Sequence, residues 1–376
     1  MGKFKKLMVP PQWREYWTAY PHGYTILEAL VDWVSEFNDI VKNVNDWNDY
    51  LDNFVNNFEF ELQEEVQRTI TKWQNDGFLE DIINAALNTR VDEVEEVVGD
   101  IQTSLNSKFI NVISPPYPFE KAVGDGVTDN TQILQDIISY CDANKLNVYI
   151  PEGEFIVKDT IKIGVNIKSF IMDGYIVYDG PHDRPALQVG DENERTHRNE
   201  YSLKVISKTR SNWTNENFIG IKLINLYECL INKLISNDFT IGVQCYGVNK
   251  NGFAYNEIHL ARLVNNLIAV DLANEKSGWV NENLFIGGRL GMFSDITIMP
   301  EERIGVRIRS IDGTEINNNN YFLKTSFELH GEAIPIVIEH GRLNHFESIR
   351  NEGNGWYVAK ILNESSDNVI NVGYGW

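Results

Sequence analysis

Two glutamates in the C-terminal third, Glu328 and Glu347, follow Phe327 and Phe346 in segments of like pattern. Glycoside hydrolysis needs such a pair of carboxyls, roughly 5–10 Å apart, one to protonate the leaving oxygen and one to attack or to activate water. Asp271, Glu257 and Glu282 offer further carboxyls. The stretch "EHGRLNHFESIRNEG" adds His340, Arg342, His345 and Arg350, a base and cations of the kind a lyase needs beside an acidic sugar. The opposing reading is that charged groups at alternate strand positions are simply the solvated outer face of a sheet. Trp279, Trp356, Tyr357, Tyr374 and Trp376 lie near turns and present flat apolar faces that stack on sugars, or, for Trp376, close a terminal coil. A last acidic stretch, "VGDGVTDNTQ" from Val123 to Gln132, holds Asp125 and Asp129 but lacks the spacing and terminal glutamate of a calcium loop.

The elements that must position these residues are short strands. From Thr160 to Trp376 no long helical period occurs. Instead, Asn-x-apolar recurs at Asn232, Asn256, Asn283, Asn320, Asn344 and Asn368, in steps of 24, 27, 37, 24 and 24 residues. A second set of apolar strands, beginning at Gly220, Gly242, Ala269, Gly305, Pro335 and Trp356, alternates with the first. Two strand types alternating in a coil of this length fit a parallel β-solenoid, with asparagines at the bends and stacked into a ladder. A β-sandwich also repeats short strands but gives no reason for the alternation. The one long excursion, Gly287 to Gly305, is either a contact loop or a plain connection.

Ahead of this zone the period changes. Leu27, Leu30, Val34, Phe37, Val41, Val44, Asn48, Leu51, Val55, Phe58 and Leu62 step by threes and fours, with Asn48 the lone polar interruption. Such a seam is buried against another helix, and an asparagine in it fixes register and strand number. The pattern resumes from Leu87 to Leu105 after Gly77. An intramolecular hairpin is the alternative to self-association. The Trp-, Tyr- and Pro-rich stretch "VPPQWREYWTAYPHGYT" either docks on another protein or folds back on these helices.

Composition narrows the function classes. With 33 Lys+Arg against 54 Asp+Glu, the net charge of −21 argues against nucleic acid or an anionic membrane as the main partner. Three cysteines, Cys141, Cys229 and Cys245, have neither zinc spacing nor an even count, which predicts folding in a reducing cytoplasm without disulfides or metal. No signal-length or membrane-length apolar run occurs, and no motif calls for a cofactor.

The stretch from Val123 to Val157 resembles the opening segment of right-handed β-helix proteins of the pectate-lyase-like superfamily, as found in bacteriophage tailspikes, tail fibres and appendages. The resemblance rests on Gly124-Asp125-Gly126, on Thr128-Asp129-Asn130-Thr131, on the amphipathic run Ile133 to Cys141, and on the strand Val148 to Gly153. Read physically, Gly124 and Gly126 make a tight turn, Asp125 belongs to that turn, and Asp129 or Thr128 caps a helix that seals the first coil. Separately, "PPQWREYWTAYPHGYTILEALVDWVSEFNDIV" resembles the start of fibres from phages of Gram-positive bacteria.

These resemblances imply a virion attachment segment over 1–25, a coiled-coil stalk over 26–108, a linker and capping helix over 109–151, and a right-handed parallel β-helix over 152–376. They imply an all-β solenoid on a helical stalk, three chains per fibre, made in the host cytoplasm and carried on the virion. The N-terminus would join tail, baseplate or collar proteins, and the β region a host cell-wall polysaccharide or teichoic acid. The alternatives are a depolymerase acting through Glu328 and Glu347, and a structural head or collar fibre. Ligand contacts would come from Trp279, His340, Arg342, Arg350, Trp356 and Tyr357.

Overall fold

The computed structural model describes residues 31–47, 49, 67–68, 71, 109–210, 212–292, 302–352, 357–362 and 365–375. The chain divides into two compact units, Met1–Asp100 and Ile101–Trp376. In the first, residues 31–47 are helical, and Val34, Phe37 and Val41 of the heptad series lie on the less exposed side. Asn48, most of the heptad series, segment 1–25, Trp356, Trp376 and the middle of the Gly287–Gly305 excursion lie outside the described residues. Among the described residues no helix is long and apolar enough to cross a membrane.

The described part of the second unit is a parallel β-helix. One coil runs through Leu230–Asn237 in a first sheet, Ile241–Val248 in a second and Gly252–Ala254 in a third. The next runs through Glu257–Val264, Ile268–Glu275 and Trp279–Asn281, each strand paired in parallel with its counterpart one coil earlier. Among the described residues the first sheet has 14 strands, the second 8, and the third 4, with a further two-stranded pair, Asn317–Asn318 and Gly341–Arg342. A sandwich would pair sequence neighbours antiparallel, so that alternative falls.

Alternation explains the core. In the first sheet Tyr201, Ile231, Ile258, Phe285, Phe322 and Phe346 follow one another in register, all fully buried. The three phenylalanines stack face on face, centroids 4.3 and 4.7 Å apart. In the second sheet Val243, Val270, Val306 and Ile336 do the same. Burying each such side chain is worth about 1.5–3 kcal/mol.

The corner entering the first sheet is an amide ladder. The side-chain NH₂ of Asn256 donates to Asn283 Oδ1, Asn283 to Asn320 and Asn320 to Asn344, each at 2.9 Å, and Asn344 donates to Asn368 at 3.0 Å. The residue before each rung has positive φ: 58° at Tyr255, 57° at Glu282, 53° at Asn319, 55° at Leu343 and 55° at Asp367. Asn232 is not part of this ladder. It lies exposed within its strand and donates to Glu200, and Cys229 occupies the corner instead. Cys229 N–H donates to Asn256 Oδ1 at 2.9 Å, and its thiol, raised in pKa by burial, lies 3.6 Å from Thr196 O. All three cysteines are buried and free.

The helix Thr131–Asn144 closes the first coil. Leu134, Ile137, Ile138 and Cys141 are fully buried in the same core as the solenoid's inward ladders. Before it, Gly126 has φ 72°, and a Cβ on Gly124 would lie 2.9 Å from the Phe155 ring. Asp125 accepts the N–H groups of Val127 and Thr128 and the Thr128 hydroxyl, which lowers its pKa to about 2. Thr128 therefore serves the turn and not the helix. Asp129 accepts the N–H of Thr131, the first helical residue, at 3.0 Å. The N-cap is Asn130, whose amide turns back to Val123 and the Thr128 carbonyl because the loop's buried backbone groups need partners there.

Candidate functional site

The predicted carboxylate pair is not assembled. Glu328 lies opposite Gly291, whereas Glu347 lies opposite Leu323, five positions back along the Glu328 coil. At about 3.3 Å per residue the offset is roughly 15 Å, beyond the separation for a glycosidase. Glu328 is held by Arg289, and Glu347 accepts the Asn371 amide. The lyase-type cations are dispersed as well. His340 sits after the second sheet, Arg342 in the separate two-stranded pair beside Asp367, and Arg350 in the first sheet beside Glu352. Tyr357 is 70% exposed and precedes the second-sheet strand Ala359–Ile361.

Asp271 is fully buried. Arg307 donates from Nε to Asp271 at 2.7 Å and binds Glu216 through both terminal nitrogens at 2.8 and 2.9 Å. Arg309 and Gln244 add contacts to Asp271 at 3.0 and 2.9 Å. Burial alone would raise the Asp271 pKa; the two guanidiniums outweigh it and hold the carboxyl below its ordinary value. Glu216 is lowered chiefly by its hydrogen bond from Arg307. The cluster clasps the segment before Ile219 onto the outer face of the second sheet, and both carboxylates are occupied. Among the described residues no group of three or more His, Cys, Asp or Glu is set to hold a metal.

The third sheet carries a different surface. Its floor is small: Gly252 pairs with Trp279, and Ala254 with Tyr227 and Asn281. A Cβ on Gly252 would collide with the Trp279 indole, so the ring lies back across the preceding coil. Arg195, from the loop before Thr196, places its guanidinium carbon 5.3 Å from the Tyr227 ring centroid and 5.1 Å from that of Trp279. His197 and Tyr255 pack on Tyr227, both with centroids 5.2 Å away. Tyr255 is 52% exposed, and its hydroxyl, raised in pKa by the bond it makes, donates to Glu282. Arg198 and Glu228 pair at 2.6 Å on the rim.

The Arg195 loop is fixed from below. Asn225 donates to the carbonyls of Asp191 and Glu192, Asn249 to Glu192, and Asn251 to Asn193. Four successive coils thus build one aromatic surface with a held cation. Trp279 was singled out by sequence; Arg195, Tyr227 and Tyr255 were not. The available signal was aromatic residues recurring about one coil apart next to asparagine corners.

No family model and no curated protein matches the chain. Solved structures with a related fold include the ORF18 protein of Geobacillus virus E2, at 16% identity and TM-score 0.42 over 78% of this chain and 64% of that one. They also include the Dettilon tailspike protein, at 13% and 0.33 over 71% and 66%. A third is the surface protein and adhesin PfbA of Streptococcus pneumoniae, at 11% and 0.34 over 68% and 97%. The chain thus spans slightly less than two thirds of the length of the first two. The likeness is one of fold, and the parallel β-helix stands on this chain's own strand registers.

Proposed function

We propose that the protein is a bacteriophage virion fibre whose β-helix adheres to a host cell-wall glycopolymer through the surface around Trp279. The observation that carries the adhesive reading is the cluster of exposed Tyr255 with half-buried Tyr227 and Trp279, built across successive coils. Aromatic rings with polar neighbours provide apolar area for a sugar face and hydrogen-bonding groups for its rim. The virion assignment rests on the resemblance of Val123–Val157 and of the N-terminal segment to phage fibres. The heptad series supports self-association, the resemblance to phage fibres supports three chains, and a trimer would multiply weak sugar contacts.

The test is binding of the purified full chain to host cell walls, with competition against phage adsorption. Trp279→Ala is expected to weaken wall binding about tenfold or more. Wall binding unchanged by Trp279→Ala and by Tyr255→Ala would overturn the site. Release of reducing ends or unsaturated sugars by the wild-type chain would establish a depolymerase instead. Failure to compete with adsorption while the walls are bound would point to a collar or head fibre.

A further inference from the structure

We infer, on the adhesive reading above, that the glycopolymer is anionic and that Arg195 is the seat of its phosphate or carboxylate groups. Among the described residues most arginines find carboxylates, although Arg303 donates to the His330 carbonyl instead. Arg184 pairs with Asp159 and Asp183, Arg198 with Glu228, Arg210 with Asp238, Arg289 with Glu328, Arg342 with Asp367, and Arg307 with Asp271 and Glu216. Arg195 has no such partner among the described residues, although acidic residues outnumber basic ones 54 to 33. Its Nε is buried and makes no hydrogen bond. Its guanidinium rests against the Tyr227 and Trp279 rings.

A guanidinium flanked by rings keeps its charge and its planar donors while losing water, which is the arrangement that suits a bidentate oxyanion. Of the carboxylates around it, Glu228 is taken by Arg198 and Glu282 by the Tyr255 hydroxyl, while Asp191, Glu192 and Glu194 on its own loop form no ion pair with it among the described residues. The net charge of −21 does not oppose this contact. Exposed charges more than about 8 Å away are screened at physiological salt, so the local pairing decides. The same rings that hold the arginine offer the apolar face to the sugar, so anion and ring are read together.

The experiment measures equilibrium binding of the full chain to three soluble polymers: deacylated poly(glycerol phosphate), polygalacturonate and neutral dextran. Wild type is expected to bind at least one anionic polymer about tenfold more tightly than dextran, and the phosphate and uronate arms identify which oxyanion is read. Arg195→Gln is expected to lose that advantage, and Arg195→Lys to keep part of it, since lysine retains charge without the fork. Wild type binding dextran as tightly as both anionic polymers, or binding neither, overturns the inference while wall binding still stands or falls by its own test. Arg195→Gln binding the anionic polymer as wild type does also overturns it. Should Arg195→Gln lower the melting midpoint, the wild-type comparison among polymers decides without it.

Discussion

At the scale of residues, the buried Asp271–Arg307–Glu216 cluster makes the sharpest demands. Removing one member of a buried pair strands a charge, so Arg307→Met is expected to cost about 3 kcal/mol in urea unfolding. Asp271 and Glu216 both have folded pKa values below those of the unfolded chain. Their contribution is therefore complete above about pH 5 and is lost as pH falls through the folded values. Melting midpoints measured from pH 7 down to 3 should fall in the wild type and stay flatter in Arg307→Met. Cys229 makes the opposite prediction. The Asn199 N–H now donates to Cys229 Sγ at 3.5 Å; an asparagine there would accept it and donate to Asn256, so Cys229→Asn should raise stability by about 1 kcal/mol, or about 2–4 °C.

At the scale of elements, the helix Thr131–Asn144 and the third sheet each depend on one close contact. Leu134→Ala would leave a cavity under the helix and is expected to cost about 2–5 kcal/mol by denaturant titration, with dye binding at the exposed first coil. Gly252→Val would push the Trp279 indole off its floor. Wall binding and tryptophan fluorescence should change together while the melting midpoint moves little. These elements differ in how far the sequence reveals them. The alternation of two strand types and the Ile133 to Cys141 helical face were legible because each depends on local period. The carboxylate pairing was misread although its offset was legible, since Glu328 lies eight residues after Asn320 and Glu347 only three after the equivalent Asn344. Positive φ at Lys324 and Ser348, 58° and 54°, bends the first-sheet strands and separates Glu328 from Glu347. Asn232 was misplaced because a cysteine took the corner and asparagine is frequent. Arg195 was hidden because its partners arrive only when Trp279 folds back one coil.

At the scale of the whole molecule, an adhesive fibre requires several copies of a modest site. Light scattering of the full chain is expected to give three chains per particle. Replacing Val34, Phe37 and Val41 by serine should yield monomers that keep the β-helix circular dichroism signal yet hold cell walls far more weakly. The amide ladder has a mechanical consequence. Hydrogen bonds between coils run along the solenoid axis, so axial tension loads every bond of a layer at once instead of peeling them one by one. Amide-to-amide rungs run from Asn256 to Asn368 and stop at Cys229. The layers on either side of Cys229 are therefore the ones where a stretched molecule should part first. Under single-molecule pulling, Cys229→Asn should shift that first rupture to higher force.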